Sequence, residues 1–279
     1  MDHPDTAEPS PSAARALQVA TRSHTQGRFT VSTRKLPISK AGAIDRLTEQ
    51  IGIPVPEMIF GDNLVSVVHR PTGWSIEFNT PDALDAVDKT GERMLKVAYA
   101  RDWESTREAQ TQKIKQVVRP YDWSYSTRYA GSVRQPCAAA TFRPTGDKIP
   151  LELLKRRDPI LFFDEVVLYE SELDDNGVSV YSAKVRVHDK RMLLLCRLFM
   201  RLDNVLVRIR DTRVYVDFET DRVVREYTVK EAEFEHVKQK LHYSGLLQDD
   251  ITIGLRDPNQ LDPLLSVVEQ RVEEVCLAA

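Results

Sequence analysis

Apolar and polar residues alternate first at Phe29, Val31 and Thr33, a period of two that predicts a strand. Before it, residues 1–27 carry Pro4, Pro9, Pro11 and small polar residues without apolar periodicity, which predicts a disordered N-terminal tail. The period then lengthens. Ile44, Leu47 and Ile51 form a helical stripe with Ser39 as the expected N-cap and Gly52 as the residue that stops it, reinforced by Pro54 and Pro56. Leu64–His69 and Trp74–Phe78 read as strands joined by a Pro71/Gly73 turn. Thr80-Pro81-Asp82 is a helix start: a capping hydroxyl, proline at the first helical position, and an acid near the positive helix end. Met94–Ala98 predicts another strand, and residues 102–115 an exposed helix or long loop.

The second half has the strongest pattern. Five strands are expected between Leu161 and Thr228, and Asn176-Gly177 marks a type I′ hairpin turn, where both central residues need positive φ. Tyr181, Ala183, Val185 and Val187 face one way and Lys184 and Arg186 the other, and Val205, Val207 and Ile209 alternate with Arg208 and Arg210. This is the signature of a half-buried antiparallel meander. Helices are expected at 230–242 and at 262–277, the latter with Leu264, Leu265, Val268, Val272 and Val275 as its apolar stripe. Without a repeat or a dividing linker after residue 28, residues 28–279 are expected to form one α+β domain, a mainly antiparallel meander with peripheral helices.

Composition narrows the function. The 279 residues hold 39 Lys or Arg against 42 Asp or Glu, a net charge of -3, so a surface built throughout for nucleic acid is not expected. Cys137, Cys196 and Cys276 stand singly, which removes disulfide frameworks and CxxC metal or redox pairs. The glycines are too far apart for GxGxxG or a Walker loop; HExxH and GxSxG are absent, and the longest apolar run, Met192–Cys196, meets Arg197. Two charge clusters remain. Asp164, Glu165, Glu170, Glu172, Asp174 and Asp175 form an acidic run, open either to a carboxylate hydrolase using Glu165 and Glu170 or to a solvated strand face. Residues 184–213 carry nine Lys or Arg against three Asp, open either to an RNA-binding module or to cross-strand pairing with that acidic strand. Tyr121, Trp123, Tyr125 and Tyr129 suit an interface as well as a core.

The strings PEMIFGDN (56–63), GWSIEFNTPDAL (73–84), MLKVA (94–98), RPYDWSYST (119–127), FFDEVVLYESELDDNGVS (162–179) and NVLVRIRDTRVY (204–215) together resemble the TIPRL family of TOR-signalling regulators. The resemblance covers roughly residues 29–230. It implies a non-catalytic, cytoplasmic regulator, with the nucleus as a second compartment, that binds and restrains catalytic subunits of type 2A-family serine/threonine phosphatases. The phosphatase's C-terminal tail is one implied bound element and a Tap-like adaptor a further partner; no cofactor, metal, nucleic acid or membrane is implied. Positions of the family to which phosphatase binding is sensitive fall on Asp82, Ile149, Ile209 and Asp211, although Asp82 also stands where it would cap its own helix. Phe60, Asp62, Asn63, Phe78, Tyr121, Asp122, Trp123, Arg208 and Arg213 extend the expected partner-binding set as polar or aromatic members of the matching motifs. Together they predict a cleft with Phe60, Phe78, Trp123 and Ile209 as apolar anchors and Arg208 or Arg213 gripping the tail carboxylate.

Overall fold

Two antiparallel sheets pack face to face. The structure, a computed structural model, describes residues 11–90, 121–136, 140–243 and 248–277. The small sheet contains β1 (Thr21–Gln26), β2 (Phe29–Arg34), β4 (Leu64–His69), β5 (Trp74–Asn79) and β6 (Ser132–Arg134), in that order. The large sheet runs β3 (Met58–Ile59), β8 (Phe162–Ser171), β9 (Gly177–Val187), β10 (Arg191–Leu202), β11 (Leu206–Asp217), β12 (Arg222–Glu233), β13 (Ser266–Cys276) and β7 (Arg143–Pro144). Between them lies the main core. Phe29, Val31, Val65, Val67, Trp74, Ile76 and Phe78 from the small sheet meet Val166, Leu168, Tyr181, Val185, Leu194, Leu198 and Val214 from the large one. The alternation read from the sequence is the cause: one side of each strand is apolar enough to be withdrawn from water. The expected α+β class and the 161–228 meander are both observed.

Several local expectations are corrected. The proposed tail is ordered well before residue 28: α1 (Pro11–Ala20) leads into β1, paired along its whole length with β2. Being an edge strand, β1 has no buried apolar face to signal it; Ser23–Ser32 and Thr25–Thr30 hydroxyl contacts and Arg22–Asp164 take the place of apolar packing. The helix expected at 262–277 is mostly β13. Val268, Val272 and Val275 satisfy a helical spacing, but β-branched residues favour a strand, and pairing with β12 adds Arg222–Glu274 at 2.5 Å and Arg225–Glu273 at 2.6 Å. The helix expected at 230–242 is α4 (Phe234–Tyr243), because β12 continues to Glu233.

Caps differ too. α2 (Ala41–Ile51) begins after Lys40, while the Ser39 hydroxyl accepts from the Gly61 amide; Gly52 does close the helix, at φ +74°. The N-cap of α3 (Thr80–Asp85) is Asn79, not Thr80, whose hydroxyl donates to the carbonyls of Phe60 and Leu168. The 173–176 turn replaces the two-residue hairpin, with positive φ at Leu173, Asp174 and Asp175. Gly177 is required for a different reason: its φ is +153°, and a Cβ there would lie 2.0 Å from the Arg201 carbonyl oxygen. Gly177→Ala is expected to cost about 3 kcal/mol, read by urea denaturation. The strand at Met94–Ala98 and the 102–115 segment lie outside the described residues.

Buried ionic clusters tie the sheets together. Asp164 in β8 accepts from Arg22, Thr33 and Lys35 of the small sheet's side. At the opposite end, Asp221 accepts from Arg28 and lies 3.7 Å from Nε2 of the fully buried His69. Burial lowers the His69 pKa below 6.5, outweighing the Asp221 carboxylate that favours the charged form. The folded chain therefore holds the neutral imidazole, and the unfolded chain takes up the proton first. Stability is fully present above about pH 6.5 and declines as pH falls from there toward the folded pKa. A series of thermal midpoints should show this decline in wild type and lose it in His69→Gln.

Candidate functional site

The outer face of the large sheet, turned away from the main core, carries a charged ladder between two apolar patches. Arg197 in β10 stands directly opposite Asp211 in β11. Its Nε–H and Nη2–H donate to the two carboxylate oxygens at 2.7 and 2.8 Å. Arg213 joins Asp211 at 3.0 Å and reaches Glu226 of β12 at 3.4 Å. The Asp211 side chain is 4% exposed and that of Arg197 12%. Burial opposes the Arg197 charge, but hydrogen bonding and attraction to Asp211 override it and hold the pKa above the usual arginine value. One flank of the ladder is Phe199, Val207 and Ile209 packed under α4 and the segments that follow it. The other is Ile149 with Tyr215 and Val224.

Beside the ladder lies a groove of about 400 Å³. Its floor is Val180, Ser182, Leu195 and Phe199, and its roof the 256–259 segment, where Arg197 Nη1 donates to the Asn259 side chain at 2.9 Å. The roof is held at two further points: Arg201 donates to the Leu255 carbonyl, and Lys230 pairs with Asp262 at 2.6 Å. A smaller hollow of about 160 Å³ shares Lys184 and Leu195 and continues toward Leu154 and His188, beside the half-exposed Phe163. An apolar floor whose rim carries the exposed Arg256 beside Asp257 and the Lys184–Glu165 pair can accept an extended polypeptide bearing apolar and acidic side chains.

The TIP41-like family profile matches residues 58–238. A human TIP41-like protein is 36% identical over 250 residues, covering 89% of this chain and 87% of its own. The type 2A phosphatase activator TIP41 of Saccharomyces cerevisiae is 36% identical over 261 residues (88% and 72%), and the Schizosaccharomyces pombe protein of the same description 31% over 244 (88% and 94%). The chain belongs to the TIP41-like family. This bears out the resemblance carried by the motifs. The groove's floor falls within the matched span of this TIP41-like chain, and its roof at 256–259 beyond it.

The expected site residues do not share one cleft. Ile209, Asp211, Arg213 and Ile149 do gather along the outer face, Ile209 and Ile149 as buried members of the flanking patches. Arg208 alternates to the inner face, where it forks onto Glu231 and donates to the Ser126 hydroxyl. Phe78 and Trp123 belong to the main core, and Tyr121 and Asp122 are buried, Asp122 accepting from the Ser124 amide and hydroxyl. Asn63 is a buried brace, accepting from the Leu36 amide and donating to the Val167 carbonyl. Phe60 is half-buried on the main-chain junction with β8, and Asp62 exposed, its carbonyl accepting from Arg34. Asp82 and Asn79 cap each other, and the Asp82 carboxylate also accepts from Ser132. The predicted cleft of Phe60, Phe78, Trp123 and Ile209 is thus not formed. Arg197 and the 256–259 roof were missed. The hairpin register that sets Arg197 opposite Asp211 could have revealed the first; a contact 62 residues away in sequence leaves no local sign.

Neither alternative chemistry fits this TIP41-like fold well. Glu165 and Glu170 are five residues apart on one strand, about 16 Å at ~3.3 Å per residue, beyond the 5–9.5 Å of a carboxylate pair, and Glu165 is bound to Lys184 at 2.9 Å. In the 184–213 segment, Lys184, Lys190, Arg191, Arg197, Arg201, Arg208 and Arg213 all pair with carboxylates. Among the described residues only Lys184 of this segment pairs with the acidic strand, so the expected cross-strand neutralisation comes mostly from elsewhere.

Proposed function

We propose that this chain is a regulatory protein that binds catalytic subunits of type 2A-family serine/threonine phosphatases through the outer face of its large sheet. The observation that carries the reading is 36% identity over nearly the whole chain to a yeast protein named a type 2A phosphatase activator. The grooved, charge-laddered face supports it physically: a buried, internally paired polar strip beside an apolar floor favours a specific protein partner. The phosphatase tail, an acidic or carboxylate-ended segment, is the proposed occupant of the groove, with TOR signalling, a cytoplasmic setting and a Tap-like adaptor as the proposed context. The restraint implied by the motifs is not supported by the relatives' names, which say activator; the proposal is regulation by binding, and turnover decides the sign.

Pull-down of recombinant catalytic subunit, with and without its last several residues, tests it. Arg256 is exposed at the groove rim. Arg256→Glu is expected to weaken association about tenfold by setting an acid against an acidic partner, at unchanged melting temperature. Equal capture by wild type and variant, or indifference to tail deletion, would refute the groove assignment; no capture at all would refute the phosphatase reading. Assaying the same complex on a phosphopeptide shows whether activity rises or falls.

A further inference from the structure

Toward β13, the inner face of the large sheet is covered by the 121–131 segment and becomes charged, with Arg208, Arg210, Arg225 and Arg271 set among Glu231, Glu269 and Glu273. Arg210 in β11 is a largely buried cation that forms no ion pair with a carboxylate among the described residues. Its Nη1 donates to the carbonyls of Ser126 and Thr127 at 3.0 and 2.7 Å, and its Nε has no partner among the described residues. Burial and the neighbouring Arg208 and Arg128 hold its pKa below the usual arginine value. Arg208 is already matched by Glu231. Tyr227 of β12 lies diagonally across from Arg210, about 7–8 Å between backbones. It is 2% exposed, and its hydroxyl has no hydrogen-bond partner among the described residues. The Arg271 guanidinium stands 4.5 Å from the centre of the Tyr227 ring, and Arg128 is exposed on the covering segment. The acids on this face are Glu269, opposite Val229 and near Tyr227, and Glu231, which pairs with Arg208 and also acts on Arg210.

A buried charge without a counter-ion is costly, and a buried hydroxyl without a partner adds to the cost. Both deficits would be removed by a single anion. We propose that Arg128, Arg210, Tyr227 and Arg271 form a phosphate-type oxyanion site, taking a phosphoryl group between the 126–128 segment and β13. The Arg210 Nε–H and Tyr227 O–H, on adjacent strands of one face, are donors without acceptors among the described residues, and Arg128 and Arg271 supply the outer charge. The group is either free phosphate or a phosphorylated protein side chain, since both present the same oxygens. The site is separate from the outer groove and does not depend on the phosphatase reading.

The test is isothermal titration of the full chain, at constant ionic strength, with inorganic phosphate in one arm and a short phosphoserine peptide in the other. Saturable binding is expected, and the tighter arm identifies the source. Arg128→Gln, an exposed change, and Tyr227→Phe, which keeps the ring beneath Arg271, are each expected to weaken it about tenfold, the loss of one hydrogen bond to a charged group. Arg46→Gln, on the exposed side of α2, should leave affinity unchanged. Absence of saturable binding in both arms, or equal affinity in wild type and both site variants, would overturn the proposal. The measurement contains no phosphatase, so its failure and failure of the phosphatase reading are separate results.

Discussion

Asp211→Ala is expected to be among the most damaging single substitutions in this chain, lowering stability by about 3–5 kcal/mol. The carboxylate is almost fully withdrawn from water and answers two guanidinium groups at once, Arg197 through both oxygens and Arg213 through one. Deleting it leaves Arg197, itself 12% exposed, as a buried positive charge, and frees Arg213 to lean on Glu226 alone. Because Arg197 also holds Asn259, the roof of the groove should loosen together with the ladder. Chemical denaturation should show the midpoint falling, and hydrogen exchange should show amides around 255–261 opening before the rest. A double substitution, Arg197→Met with Asp211→Leu, removes both charges and should recover most of the loss. If Asp211→Ala matched wild type in stability, the ladder would be a surface ornament, and the sensitivity of partner binding that the motif resemblance implies at Asp211 would have to arise from direct contact.

The parts of this molecule that the sequence discloses are those in which a residue's own neighbours decide its fate. The β9–β11 strands were readable because Tyr181 to Val187 and Val207 to Ile209 alternate without interruption, and alternation is what a half-buried strand must show. β1 escaped because an edge strand of Thr, Arg, Ser, His and Gln buries little and is held by its partner β2. β13 was misread because Val268, Val272 and Val275 fit a helical spacing, whereas pairing with β12 turns Val272 to the outer face and Val275 to the main core, which local spacing does not show. The site divides in the same way. Ile209 and Asp211 were found through their motif, yet parity along β11 sends Arg208 to the opposite face from both. Phe78 and Trp123 sit in matching motifs because a core, too, needs aromatic residues. Membership of a motif says that a side chain matters; which face of which sheet it occupies says what it does.

Asp164→Asn is the second substitution with a large expected effect, and pH separates its mechanism from that of Asp211. Burial alone would raise the Asp164 pKa. Hydrogen bonds from Lys35 at 2.5 Å, Thr33 at 2.6 Å and the Glu165 amide at 3.0 Å outweigh it, and the pKa lies below the ordinary carboxylate value near 3.8. A depressed carboxylate pKa contributes stability that is present above about pH 4 and is lost as pH falls through the folded value. The asparagine variant cannot carry that charge, so it should be less stable by about 2–4 kcal/mol at neutral pH. This is below the Asp211 figure because Arg22 and Lys35 are about half-exposed and are rehydrated when the carboxylate is gone. The difference between wild type and variant should then shrink as the solution is acidified below pH 4, in a window distinct from the His69 decline that begins near 6.5. Since Arg22 and Lys35 belong to the small sheet's side and Asp164 to the large one, the lost contact is between the sheets, and opening should begin at β1 and β2. A variant whose deficit stayed constant from pH 7 to pH 2 would show that Asp164 acts through its shape and hydrogen bonds and not through its charge.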